Sequence, residues 1–238
     1  WVVDRCGNSG AGGTTCAGPS AGVNPVFQFE VSGKLLKTWG AGVFISPHKL
    51  TVDPQGNVWV ADNGSHQVFK FDPNGKVLMT LGKKGVAGPG LDEFDAPTEV
   101  AVAANGDIYI GDGHTGGGTA AGNARIMKFD KSGKFLKTWG KKGMGPGEFD
   151  TVHTVALDSQ GRLFVGDRQN NRVQIFDAEG KFIPQWFQFG RPRGMYIDKL
   201  TDTLYVADSE SRDGRTNTGV FALPQTGYGN NPGIRRGI

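Results

Sequence analysis

The chain has 238 residues, of which 39 are glycine, 37 % are hydrophobic and 10 % aromatic, and its formal net charge is +3. Glycine at roughly double its usual share, with no collagen period, suits a chain of many tight turns, and length alone allows one all-β domain or two smaller ones. The mild charge excludes a nucleic-acid patch, because Lys83-Lys84 and Lys141-Lys142 are only turn pairs, and no apolar run approaches a membrane span.

In chain order, Trp1-Val2-Val3-Asp4 reads as a strand already under way, so a leader and further chain are expected ahead of it. Cys6 and Cys16 bound the loop CGNSGAGGTTC, which offers too few ligands for a metal and has no histidine nearby. A disulfide is the expectation, with two reduced cysteines as the alternative. Such a bridge constrains the unfolded loop by about 2–3 kcal/mol and implies an oxidising compartment, secreted or periplasmic. From Phe44 to Phe71, Thr51-Val52 and Val58 to Val60 flank the turn cluster Asp53-Pro54-Gln55-Gly56-Asn57, a predicted hairpin, and Gln67 to Asp72 is a third strand. The hairpin returns the chain to its starting end, which brings His48 and Asp62 to the same side.

That stretch repeats. FDAPTEVAVAANGDIYIGD begins at Phe94, FDTVHTVALDSQGRLFVGD at Phe149 and RPRGMYIDKLTDTLYVAD at Arg191, so the Pro47 place recurs at Pro97, Val152 and Pro192. Each copy continues through a third strand, a glycine turn and a fourth strand ending near Gly82, Gly140 or Gly190, while GKLLKTWG from Gly33 marks the end of a preceding copy. Four short strands at a period of about 40 residues are the pattern of a β-propeller blade. Neighbouring blades must cover each other's apolar faces. The expected fold is therefore an all-β propeller of about six four-stranded blades in the full protein, five of them visible and the terminal ones incomplete. The blades run over 1–43 (partial, with the cysteine loop), 44–93, 94–148, 149–190 and 191–238 (incomplete). The tail NPGIRRGI stops as if entering another strand, and the insertion Thr115 to Gly122 is expected at the His48 end.

The residue after the Pro place opens the innermost strand of each blade: His48, Thr98, His153 and Arg193. His114, two past Asp112, joins the same rim, so three of the four histidines converge. The fourth, His66, is aligned with Arg125 and Arg172 and is expected to make a structural hydrogen bond between blades. Three imidazoles can hold Zn²⁺ and leave a fourth position open, where the metal acts as a Lewis acid or activates a bound hydroxyl.

The pattern P-x-x-L-x-V-D-x-x-G-N-V-W-V-A-D, followed by V-x-K-F-D-x-x-G, resembles NHL repeats. PHKLTVDPQGNVWVAD with HQVFKF, and DTVHTVALDSQGRLFVGDRQNNRVQIF, resemble the propeller of peptidyl-α-hydroxyglycine α-amidating lyases and their bacterial relatives; the likeness covers most of residues 1–212. It implies zinc, a carbon–nitrogen lyase activity that yields an amide and glyoxylate, and metal ligands at His48 and His153. It also implies substrate-binding arginines at Arg5 and Arg168, and a structural calcium at the backbone of Leu50, Val155 and Met195.

The third ligand place holds Arg193, and the family's active-site tyrosine place holds His114. His114 then serves as third ligand and active-site group, or else Arg5, Arg168 and Arg193, joined by Lys49, make a cationic anion pocket. The reading is a secreted, metal-dependent, lyase-like propeller with Arg5, Arg168 and His114 as catalytic residues, acting on a small carboxylate-bearing or hydroxyglycine-type peptide. The alternative is a non-catalytic platform for a peptide, glycan or protein. A lactone hydrolase on a similar propeller wants several carboxylates at the inner strand starts, where only Glu99 is near.

Overall fold

The computed structural model describes residues 1–6, 15–114, 122–208 and 219–223, the last by backbone alone. The insertion predicted at 115–122 lies almost wholly outside them. The described chain is all-β apart from a short 3-10 turn at Gly18–Ser20. Its strands are β1 (Val2–Val3), β2 (Val26–Phe29), β3 (Leu35–Trp39), β4 (Pro47–Val52), β5 (Val58–Asp62), β6 (Gln67–Phe71), β7 (Val77–Leu81), β8 (Pro97–Val102) and β9 (Ile108–Asp112). They continue as β10 (Arg125–Phe129), β11 (Phe135–Trp139), β12 (Val152–Leu157), β13 (Leu163–Asp167), β14 (Arg172–Phe176), β15 (Phe182–Trp186), β16 (Pro192–Asp198), β17 (Thr203–Asp208) and β18 (Gly219–Leu223).

Sheets β4–β7, β8–β11 and β12–β15 each have four strands in sequence order, and β1–β3 and β16–β18 have three. Among the described residues, the pairings between these strands are antiparallel. Repeated up-and-down sheets of this kind are propeller blades, as the repeat spacing predicts.

Burial explains the strand compositions. In β12, β13 and β14 every residue is buried, whereas the outer strand β15 has none. These inner strands thus bury the polar side chains of His153, Thr154, Arg172 and Gln174 beside their apolar ones, and the outer strands mix hydrophobics with Lys, Thr or Gln.

The chain divides into two compact units, Trp1–Val100 with His114–Asn123, and Ala101–Gly113 with Ala124–Ile238. The first unit's core gathers Val26, Phe44, Val58, Val60, Phe69 and Phe71 around the Cys6–Cys16 disulfide, whose Cα atoms are 5.1 Å apart. The second unit has one core cluster around Phe149, Val152, Val165 and Phe176, and another around Phe164, Ile175, Leu204 and Val206.

Two contacts repeat and explain the glycines that end and begin the outer hairpins. A Cβ on Gly40 would lie 2.8 Å from Phe44, one on Gly82 2.7 Å from Phe94, and one on Gly140 2.5 Å from Phe149. Likewise Gly75, at φ +88°, faces the Trp39 indole at 2.8 Å, and Gly180, at φ +77°, faces Trp139 at 2.6 Å. The aromatic that opens or closes one repeat thus packs where only a bare backbone leaves room.

Candidate functional site

The site is set by a defect repeated at the start of the inner strands. In β4/β5 the register pairs Pro47 with Asp62 and then Lys49 with Ala61, so His48 is the bulged residue. In β12/β13 the bulged residue is His153, and in β16/β17 it is Arg193. A bulge turns one side chain out of the alternation of its strand. The aspartate closing the second strand fixes the approach to it. Asp62 accepts from the backbone N–H of Ile45 and Ser46 at 2.8 and 2.6 Å, and Asp167 accepts from those of Asp150 and Thr151 at 2.9 and 3.4 Å.

Within the first unit, His48 Nδ1 lies 2.9 Å from the carbonyl oxygen of Thr98. Facing an acceptor, Nδ1 carries the proton and Nε2 keeps its lone pair. The ring stands 4.7 Å, centroid to centroid, from that of His114. Burial, then the positive fields of His114, Lys49 and Arg5, outweigh the Thr98 bond and lower the His48 pKa to about 3, so the ring is neutral near pH 7. Arg5 is held beside it by Nε donating to Pro47 O at 3.3 Å. Lys49 does not add free charge to an anion pocket: its Nζ is 3.0 Å from Glu99 Oε2, and both side chains are largely covered, so the pair is self-neutralising.

His114 occupies a defined backbone slot. In two repeats the residue after the strand-closing Asp donates its N–H to the residue before the Pro place: Asn63 to Ser46 O at 3.0 Å, and Arg168 to Thr151 O at 2.9 Å. In the third, Gly113 (φ +120°) is passed over and His114 N–H donates to Ala96 O at 3.0 Å. His114 is therefore the positional counterpart of Arg168, despite standing one residue further along the sequence.

Within the second unit, His153 is buried and its Nδ1 lies 2.8 Å from Arg193 O. Arg168 is buried beside Asp167, while the Arg193 side chain is exposed. Leu50, Val155 and Met195, the residues to which the resemblance assigns a calcium, take one place in their inner hairpins, opposite Val60, Val165 and Val206.

One alignment made on the sequence is corrected. The counterpart of Arg125 and Arg172 is Gln67, because Asp62 pairs with Gln67 as Asp112 pairs with Arg125 and Asp167 with Arg172. His66 instead matches Asn171: each immediately precedes its strand, and the two sit at φ +58° and +54°. The structural hydrogen bond predicted for His66 does form, since its Nδ1 accepts the Ala96 N–H at 3.1 Å. The carbonyls of Thr98 and Arg193, which orient the two rim histidines, gave no signal in the sequence because they are main-chain groups.

Residues 44–71 and 149–176 match the NHL repeat, in keeping with the propeller-type all-β architecture of repeated antiparallel sheets. In sequence the chain is similar to a probable peptidyl-alpha-hydroxyglycine alpha-amidating lyase of Caenorhabditis elegans, 41 % identical over 145 residues, covering 59 % of this chain and 39 % of the relative. It is 37 % identical over 148 residues to the mouse peptidyl-glycine alpha-amidating monooxygenase, covering 59 % of this chain and 14 % of that protein. The chain thus spans well under half the length of either relative. A Xanthomonas campestris gluconolactonase superposes with a TM-score of 0.62 at 14 % identity, over 86 % of this chain and 66 % of that one, a likeness of fold alone.

Proposed function

We propose that this chain is a metal-dependent, lyase-like NHL propeller of an extracellular or periplasmic compartment, acting on a hydroxyglycine-type or similar carboxylate-bearing peptide. The observation that carries the reading is the shared anchoring of two histidines. His48 and His153 are both bulged at the start of an inner strand, and each has Nδ1 on the carbonyl of the residue holding the same place in the next repeat, at 2.9 and 2.8 Å. Outer bonds of this kind fix ring and tautomer in histidines that ligate metals.

The donor set fits a borderline-soft divalent ion such as zinc. The ligands proposed are His48, His114 and His153, and His48 is held neutral, as a ligand must be. When bound, the metal supplies a Lewis acid for the substrate hydroxyl. The chain's own part is binding and orientation. Arg5 and Arg168 offer guanidinium forks to the substrate carboxylate, and the rim histidines fix the hydroxyl-bearing carbon. The hydroxyl loses its proton as the carbon–nitrogen bond breaks, the amide nitrogen gains one, and glyoxylate departs. A calcium held by the main-chain oxygens of Leu50, Val155 and Met195 would be structural. The Cys6–Cys16 bridge supports the oxidising compartment.

The test is elemental analysis of protein purified without chelator, joined to an assay for glyoxylate released from an α-hydroxyglycine-extended peptide. Zinc near one per chain, activity lost to EDTA and restored by zinc, is expected. No bound transition metal, and no glyoxylate after zinc addition, would overturn the proposal. A second reading, a non-catalytic anion-binding rim, draws on the exposed Arg193 at the bulge where two other repeats carry histidine. It predicts carboxylate-peptide binding that is indifferent to EDTA.

A further inference from the structure

His114 is held by a chain of main-chain contacts that begins at another histidine. Ala96 adopts φ +55°, a left-handed conformation that an alanine rarely takes. Its N–H donates to His66 Nδ1 at 3.1 Å, and its carbonyl accepts the His114 N–H at 3.0 Å. His66 is itself fixed. It sits at φ +58°, and the Gly82 backbone packs so closely on its carbonyl that a Cβ there would come within 2.5 Å. Gly85 N–H bonds to the preceding carbonyl, that of Ser65, at 2.9 Å. Asp95 Oδ1 lies 4.0 Å from His66 Nδ1.

We infer that His66 is a positioning residue for His114, acting through Ala96. An imidazole nitrogen that accepts the Ala96 N–H stabilises the left-handed peptide unit, and that unit presents the carbonyl on which His114 hangs. The device thereby holds the His114 ring beside that of His48, 4.7 Å away between centroids. This inference rests on the reading of His114 as a metal ligand for its purpose, but not for its geometry.

Asparagine supplies the discriminating variant. Its Oδ1 falls where His Nδ1 lies, it tolerates positive φ, and Asn171 already takes the corresponding place at φ +54°. The experiment records the His114 ring and amide resonances of metal-free protein by NMR, then zinc affinity, for wild type, His66→Ala, His66→Asn and His66→Ala combined with Ala96→Gly. Thermal melting checks folding. Expected are shifted His114 resonances and a roughly tenfold loss of zinc affinity in His66→Ala, the lower end for outer-sphere partners. His66→Asn should restore both. Ala96→Gly, which adopts left-handed backbone without strain, should restore them in part and keeps the test readable if His66→Ala folds poorly.

His114 resonances unchanged in folded His66→Ala would overturn the inference. If they shift as expected while wild-type protein takes up no zinc, the positioning stands and the metal reading falls.

Discussion

His48 Nδ1 lies 2.9 Å from the carbonyl of Thr98, the residue that holds the place of His48 in the next repeat. A side chain is thus oriented by the main chain of its own structural copy. The arrangement recurs between His153 and Arg193 at 2.8 Å, so neither copy that supplies the carbonyl is itself a histidine. Replacing Arg193 leaves that support in place, because the acceptor is backbone.

For the rim histidines, His48→Gln and His153→Gln should each lower bound zinc from near one per chain to a small fraction, with melting temperature in EDTA little changed. Arg193→Ala should leave zinc content as it is. Elemental analysis of the variants beside wild type checks this, and full zinc retention in both glutamine variants would remove these side chains from the ligand set.

For the hairpin glycines, Gly75→Ala and Gly180→Ala should each cost about 2–4 kcal/mol, since positive-φ strain adds to overpacking against the indole. Gly56, at φ +82° with nothing within 4 Å of its added Cβ, isolates the strain. Gly56→Ala should cost only about 1–2 kcal/mol. Urea unfolding of the variants measures the difference, and equal losses at all three would deny the Trp contacts their role.

Arg172 is 2 % exposed and donates to Asp167 Oδ2 at 2.9 Å, to Gln185 Oε1 at 3.0 Å, and to the carbonyls of Met144, Gly145 and Glu148 at 2.6, 3.1 and 2.8 Å. Burial already pushes the Asp167 pKa up against these bonds. Arg172→Met removes the cation from a buried carboxyl and the donors from the loop carbonyls together, so a loss of about 3–5 kcal/mol is expected. Thermal unfolding checks it, and a shift within experimental error would contradict the network.

Acid should weaken the fold through Asp53. Burial opposes its ionisation, but bonds from Asn57 and Trp59 Nε1, with the Lys70 charge, outweigh it and hold the pKa below the ordinary 3.8. A depressed folded-state pKa contributes stability that is present above the unfolded value and lost as pH falls through the folded one. The contribution is therefore full near neutrality and disappears below about pH 4. Asp53→Ala should cost about 1–3 kcal/mol at pH 7, with Trp59 Nε1 left unpaired, and the cost should shrink on acidification. Denaturant unfolding between pH 7 and 3 reads the slope.

Repeat spacing in the sequence determined the strand order, the hairpins and the four inner-strand starts, because a blade needs apolar inner strands and glycine turns at fixed offsets. The Phe-to-Gly and Trp-to-Gly packing follows the same period. The single sequence also contained the bulged histidines and the cysteine pair. The tertiary structure decided the rest. His66 and Gln67 exchange places because strand pairing, not alignment by residue type, sets register. Lys49 loses its free charge because Glu99 comes from a different repeat. His114 reaches the backbone slot of Arg168 because Gly113 adopts a conformation that lets the chain pass one residue over. Each depends on which main-chain group meets which, and no spacing of side chains in one repeat encodes that.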